Sequence, residues 1–300
     1  MKYTWGIIGH EKELAQIEAD IETGNLSHAY LLAGQNSIGK FTVAKKMAGI
    51  LQCNNNFCHE CSTCIQVQKG SHLDTIELLD NGESLKIDQI RSLIERICMS
   101  KQSNYKIILM QTVERMPREA ANSFLKTLEE PPANTIFVMT TNNVRAILPT
   151  ILSRTRIINF KSLPIGYLEG LLKEHYPDKD PEAIKHACIF SLGRVGKAVH
   201  LIESPEALSD YVSMYHDIRN FLEHKSVVSR FSYVNSLLEN EGKVSIFLDI
   251  LAHVLRSKLL ENPSSSQSYI NTLLKLDEGG ILLKKNVNDR LVLENLMLAL

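Results

Sequence analysis

The most informative segment of this sequence is residues 29–40, where a short apolar run leads into a loop with two glycines and a lysine. Gly34 and Gly39 would let backbone N–H groups surround a phosphate at a helix N-terminus, and Lys40 would reach its outer oxygens. Such loops join a buried strand to a helix in α/β domains. We therefore predict a phosphate-binding loop here, with a strand-to-helix turn that binds nothing as the alternative.

Between residues 29 and 160, short apolar runs alternate with segments of helical periodicity. This alternation is typical of a parallel sheet with crossover helices, and it predicts an α/β fold. The five predicted strands are Ala29–Ala33, Thr75–Leu79, Lys106–Met110, Ile136–Met139 and Ile157–Phe160. Beyond residue 160 only helical patterns follow. We expect three domains, comprising residues 1–161, a small helical domain at 162–204 and an all-helical domain at 205–300.

The predicted phosphate loop lacks the side chains that normally handle magnesium. Phe41 stands where a Ser or Thr hydroxyl would ligate Mg²⁺, and Phe has no oxygen to offer. Gln111 and Thr112 follow the third strand, where a carboxylate is expected, although Glu114 lies close behind them. Because the metal neutralises charge during phosphoryl transfer, we expect the Mg²⁺ site to be lost and hydrolysis to be crippled. Whether ATP still binds is left open.

Four of the six cysteines fall within twelve residues, at Cys53, Cys58, Cys61 and Cys64. Thiolates at such short spacing converge on a tetrahedral Zn²⁺ ion, so we predict a structural zinc insert at residues 53–64. The alternatives are four unrelated free thiols, or a site in which His59 replaces one cysteine.

Charge and hydropathy restrict the class of partner and the compartment. Lys plus Arg number 33 against 34 Asp plus Glu, giving a net charge of -1. A protein that depends on phosphate contacts usually has a basic excess, so this balance favours protein partners over a zinc-containing DNA-binding module. The first residues are charged where a signal peptide would be apolar, and no run of 18 apolar residues occurs. We expect a cytoplasmic protein with no membrane contact.

The run Asn122–Pro132 resembles a hallmark of bacterial clamp-loader AAA-plus subunits. Three further segments agree in order: His28–Tyr30, Thr140–Asn142 and Leu148–Arg154. The resemblance covers about residues 5–200. It implies a zinc-bearing AAA-plus module, a helical lid and a helical collar that joins a ring of subunits. The implied partners are a clamp-loader ATPase subunit (gamma or tau), a delta subunit and, through the assembly, the sliding clamp and primed DNA.

The same resemblance assigns roles to single residues. Ser153-Arg154 matches the Ser-Arg of the family's Ser-Arg-Cys motif, which makes Arg154 the implied arginine finger for a neighbouring subunit. Arg156, two residues on, is the alternative finger. Thr141 lies where the family's first sensor stands, and Lys197 lies near its second. A structural role for these two residues is equally compatible with their positions at a strand end and a helix start.

The family contains an ATP-hydrolysing member, gamma or tau, and a non-hydrolysing member, delta prime. Phe41, Gln111 and Thr112 favour the non-hydrolysing member, as does the length of the chain, because tau chains continue well beyond a third domain. The alternative is an ATPase motor with an unorthodox metal site that uses Glu114.

Overall fold

A computed structural model describes residues 2–55, 57–82, 87–223, 227–239, 242–261, 266–285 and 287–300. The chain divides into two compact units. One unit contains the residues up to Tyr176 together with Gly193–Lys197, and the other contains Pro177–Leu192 and Ala198–Leu300. The division into domains at 1–161, 162–204 and 205–300 stays a prediction.

The first unit is built on a five-stranded, wholly parallel sheet, as the sequence predicts. The strands are β1 (Ala29–Ala33), β2 (Thr75–Leu78), β3 (Lys106–Met110), β4 (Thr135–Thr141) and β5 (Arg156–Asn159). Their order across the sheet is β2-β3-β4-β1-β5. Strands β1, β3 and β4 are buried along their whole length, which explains why each reads as a continuous apolar run. The predicted and observed strand ends differ by at most two residues.

Helices cover both faces of this sheet. They are α1 (Glu11–Glu22), α2 (Lys40–Gln52), α3 (Ser62–Gln68), α4 (Ile87–Cys98), α5 (Arg118–Glu129), α6 (Pro149–Leu152) and α7 (Ile165–His175). Residues of α1 and α2 pack into one hydrophobic cluster and residues of α4 and α5 into a second. In the second cluster, α4 buries Ile90 and Ile97 on one face. The parallel strands therefore end along one edge of a sheet that is covered on both faces.

Every regular element among the described residues of the second unit is a helix. The remaining helices of the chain are α8 (Pro181–Ser191), α9 (Val195–Glu203), α10 (Pro205–Glu223), α11 (Val227–Leu238), α12 (Lys243–Glu261), α13 (Ser266–Lys284) and α14 (Asp289–Leu298). Buried Arg230 of α11 donates hydrogen bonds to the carbonyls of Phe221 and Met297 near the ends of α10 and α14. None of the helices in the described ranges combines the length and hydropathy that a bilayer crossing requires.

Candidate functional site

The loop between β1 and α2 depends on glycine at two points. A Cβ atom on Gly34 would lie 2.4 Å from the carbonyl oxygen of Phe160, so only glycine lets the loop pass the end of β5. Gly39 precedes the first residue of α2 with a φ of 104°, a conformation that other residues rarely adopt. These two positions hold the loop around the N-terminus of α2.

An open cleft of about 270 Å³ lies in front of this loop, at the carboxyl edge of the sheet. Lys40 lines it together with Phe41, Gln111 and Thr112. The structure thus brings the lysine and all three predicted magnesium-handling positions to one cleft. None of these four side chains carries a carboxylate.

The Lys40 ammonium is bound by the loop itself. Lys40 is 6% exposed, and its Nζ donates to the carbonyls of Gly34 (2.8 Å) and Gln35 (2.6 Å). A third hydrogen bond of 3.0 Å reaches Oδ1 of Asn142. Burial lowers the pKa of Lys40 to about 8, against the opposing charge of Glu114. An incoming phosphate would have to displace these carbonyl contacts to reach the ammonium.

Glu114, the alternative metal ligand that the sequence suggests, binds the backbone instead. It lies in a short 3-10 turn, Val113–Arg115, and its Oε1 accepts the backbone N–H of Asn142 at 2.9 Å. Glu114 is not among the described residues that line the cleft. The carboxylate therefore fixes the residue that in turn contacts Lys40.

Phe41 and Gln111 have structural contacts of their own. The Phe41 ring packs against the hydrophobic cluster of α1 and α2, and the Lys45 ammonium lies 5.5 Å from its centroid. The Gln111 side chain accepts the backbone N–H of Asp80 at 3.0 Å and so joins the end of β3 to the segment after β2. Two of the three predicted magnesium-handling positions are therefore occupied by side chains with packing or hydrogen-bond contacts within the fold.

The residues at the two implied sensor positions, Thr141 and Lys197, have different surroundings. Thr141 is fully buried, and its Oγ1 accepts the backbone N–H of Asn143 at 3.0 Å. Its neighbour Asn142 lines the cleft in its place. Lys197 contacts the loop between β1 and α2 through its backbone, because its N–H donates to the Ser37 carbonyl at 3.0 Å.

Gly196 is a residue of this cleft that the sequence interpretation missed. A Cβ atom there would lie 2.7 Å from the Ser37 carbonyl oxygen, so the start of α9 approaches the loop as closely as only glycine permits. Its position directly before Lys197 is the one feature of the sequence that could have pointed to it.

The four predicted zinc ligands converge in the structure. The Sγ atoms of Cys53, Cys58, Cys61 and Cys64 all lie within 4.8 Å of one another. Three of the distances are 3.9, 3.9 and 4.0 Å. A tetrahedral Zn²⁺ ion with Zn–S bonds of about 2.3 Å requires sulfur atoms about 3.8 Å apart. The donor set therefore fits a metal ion such as zinc.

The cysteine cluster is attached to the end of α2. Cys53 directly follows this helix, and the Phe57 ring lies over Gly49, where a Cβ atom would come within 2.3 Å of the ring. The His59 ring contacts the Phe57 ring at a tilt of 53° with a centroid distance of 4.1 Å, and its Nδ1 lies 2.8 Å from the Gln68 amide nitrogen. His59 thus lies outside the sulfur cluster and helps to pack it.

Arg154 and Arg156 have different surroundings, although they are only two positions apart in the sequence. Arg154 forms an ion pair of 2.6 Å with Glu129, and the exposed fractions of the two side chains are 35% and 48%. Arg156 pairs at 2.9 Å with Asp20, whose side chain is 8% exposed. The Tyr30 hydroxyl also donates to Asp20 at 2.9 Å, and burial together with this carboxylate raises the pKa of Tyr30 to about 12. The Arg156 side chain is itself 43% exposed, but its guanidinium is paired with a buried carboxylate.

Comparison with known proteins agrees with the parallel-sheet fold and with the clamp-loader resemblance. The sequence model of the family described as "DNA polymerase III, delta subunit" matches residues 9–164, which is more than half of the chain. The chain belongs to this DNA polymerase III family. The DNA polymerase III subunit gamma of Buchnera aphidicola subsp. Schizaphis graminum is 30% identical over 248 residues, covering 79% of this chain and 68% of that protein.

Two further members show how far the likeness to this family extends. The DNA polymerase III subunit tau of Escherichia coli is 28% identical over 213 residues, which are 68% of this chain and 33% of tau. A solved structure of a gamma subunit-related protein from Thermotoga maritima superposes with a TM-score of 0.56 and 21% identity, covering 94% of this chain and 97% of that one. This superposition supports the AAA-plus-like fold.

Proposed function

We propose that this chain is a delta-prime-type subunit of a replicative DNA polymerase III clamp loader, a ring member that hydrolyses little or no ATP. The observation that carries the proposal is the cleft in which Phe41, Gln111 and Thr112 surround Lys40. Phosphoryl transfer needs a metal-held phosphate and an oriented water, and these side chains supply neither. The idle site leaves the chain a structural and regulatory role.

In that role the chain would supply an arginine finger to the neighbouring subunit. Arg154 follows α6 with part of its guanidinium in solvent, and its ion pair with Glu129 is of the exposed kind that contributes little to stability. Such a pair leaves part of the guanidinium accessible to a phosphate. Arg156 is held by buried Asp20 and is the poorer candidate for a finger. An arginine finger supplied in trans accelerates hydrolysis by about 10³–10⁵.

The partners follow from this role. The chain would assemble with a gamma or tau ATPase subunit and a delta subunit, and would meet the sliding clamp and primed DNA through that assembly in the cytoplasm. The helical residues 205–300 would form the collar that joins the ring. A net charge of -1 agrees with contacts that are made chiefly to protein.

Zn²⁺ on the four cysteines would be structural. Four thiolates saturate a tetrahedral ion and leave no open position for a substrate or water. The ion would join the segment after α2 to α3, where Cys61 Sγ also accepts the backbone N–H of Cys64 at 3.4 Å.

The second candidate is an ATP-hydrolysing gamma- or tau-type motor, which the names of the curated relatives favour. In that case Glu114 would have to release the backbone of Asn142 and turn toward the cleft. Lys40 would also have to leave the loop carbonyls that it now contacts.

The finger is tested by Arg154→Ala in the assembled clamp loader with clamp and primed DNA. We expect the DNA-stimulated ATPase rate to fall by at least about tenfold, because a transition-state contact is removed. Arg156→Ala is the matched control and should retain most of the rate if the variant is folded. An unchanged rate for Arg154→Ala would refute the finger assignment.

A further inference from the structure

We propose that Glu129 is a positioning residue for Arg154, which holds the guanidinium ready for a phosphate of the neighbouring subunit. This inference rests on the proposed function of Arg154. It assigns a role to the acidic end of the hallmark run Asn122–Pro132, which the mechanism so far leaves without one.

The contact fixes the guanidinium at both of its terminal nitrogens. Nη2 of Arg154 lies 2.6 Å from Oε1 of Glu129, the last residue of α5. Nη1 donates to the Thr150 carbonyl at 2.9 Å and to Oγ of Ser153 at 3.2 Å. Since a planar guanidinium that is held at two nitrogens has one orientation, these contacts select a single arrangement from the many open to a free arginine.

The arrangement leaves donors for a ligand. A guanidinium carries five N–H groups, and the three contacts above occupy at most three of them. Arg154 is 35% exposed, so part of the group faces solvent and stays accessible. The geometry therefore fits an arginine that is held from behind while it presents its remaining donors outward.

The stability of the fold does not explain why Arg154 and Glu129 form an ion pair. Both side chains are more than a third solvent-exposed, at 35% for Arg154 and 48% for Glu129, and such pairs contribute little to folding. Ordering a long side chain in advance, in contrast, removes an entropy cost from the step that uses it. We therefore expect removal of Glu129 to affect catalysis in the neighbour more than the stability of this chain.

The test is a set of variants in the full clamp loader with clamp and primed DNA. Glu129→Ala should lower the DNA-stimulated kcat by about 2- to 10-fold with an unchanged KM for ATP, as expected when one side chain must be ordered in the transition state. Glu129→Gln keeps an oxygen acceptor and should restore most of the rate. Glu130→Ala, at the adjacent exposed carboxylate, is the matched control and should behave as the wild type.

A double-mutant cycle separates positioning from a general effect. In the Arg154→Ala background, Glu129→Ala should cause no further loss, because nothing is left to position. A full loss in that background, or a wild-type kcat for Glu129→Ala beside an impaired Arg154→Ala, would overturn the role of Glu129 alone. A wild-type rate for Arg154→Ala would instead refute the finger role of Arg154, and this inference with it.

Discussion

At the scale of single residues, two arginines on one short segment have opposite surroundings. Arg156 is paired with a carboxylate that is 8% exposed, whereas the partner of Arg154 is 48% exposed. A buried charge that loses its partner is costly, while an exposed ion pair is worth little. The same type of side chain therefore has a buried partner at one position and an exposed partner at the other.

This difference predicts a difference in stability. Arg156→Ala should lower the free energy of unfolding by about 1–2 kcal/mol, because the buried Asp20 carboxylate would lose its guanidinium partner and keep the hydrogen bond from the Tyr30 hydroxyl. Arg154→Ala should change it by less than about 0.5 kcal/mol. Urea unfolding of the two variants measures both values. Equal losses would contradict the distinction between the two arginines.

Lys40 predicts a pH dependence of stability. Its pKa falls from 10.5 to about 8 in the folded chain because burial disfavours the ammonium. As pH falls through this window, the unfolded chain takes up a proton that the folded chain does not, so the folded state loses stability. We expect the stability of the wild type relative to Lys40→Met to fall by up to about 2 kcal/mol between pH 9.5 and 7.5. Urea unfolding at several pH values measures it, and a constant difference would show that the pKa is not lowered.

At the scale of elements, α2 joins the two functional features of the first unit. It begins at Lys40 in the phosphate loop and ends at Gln52, next to the first cysteine of the cluster. Phe57 returns from the cluster and packs on Gly49 of the same helix. The cysteine cluster therefore stabilises the C-terminal end of the helix whose N-terminal end forms the loop.

Gly49→Ala tests this packing. Alanine in a helix interior is normally more stable than glycine by about 1 kcal/mol, but here its Cβ atom would meet the Phe57 ring. We expect a net loss of about 1–3 kcal/mol and faster release of zinc to a chelator. Gly170→Ala in α7, where a Cβ atom meets nothing within 4 Å, is the matched control and should stabilise the chain by about 0.5–1 kcal/mol. A stabilised Gly49→Ala variant would contradict the packing of Phe57.

At the scale of the whole molecule, local sequence patterns predict the elements better than the contacts between them. Buried parallel strands are continuous apolar runs, so β1 and β3 were predicted with their observed ends. The cysteine spacing likewise predicts the sulfur cluster. These features are local because neighbouring residues carry the whole signal.

The contacts that define the cleft are not local. Lys40 and Asn142 are 102 residues apart in sequence, and their hydrogen bond follows from the sheet order, which places β1 beside β4. The partners of Arg154 and Arg156 depend in the same way on how α5 and α1 pack. No periodicity or spacing in the sequence reports such pairs, so the sequence offered candidate residues and the structure supplied their partners.

The central claim is that this chain is an idle member of an ATPase ring. The most direct test measures ATP hydrolysis by the purified chain alone, and then with a gamma or tau subunit, a delta subunit, clamp and primed DNA. We predict no turnover by the chain alone and stimulated turnover by the assembly. Robust Mg²⁺-dependent turnover by the chain alone would contradict the claim, and would show that the cleft around Lys40 and Phe41 is the site of a motor.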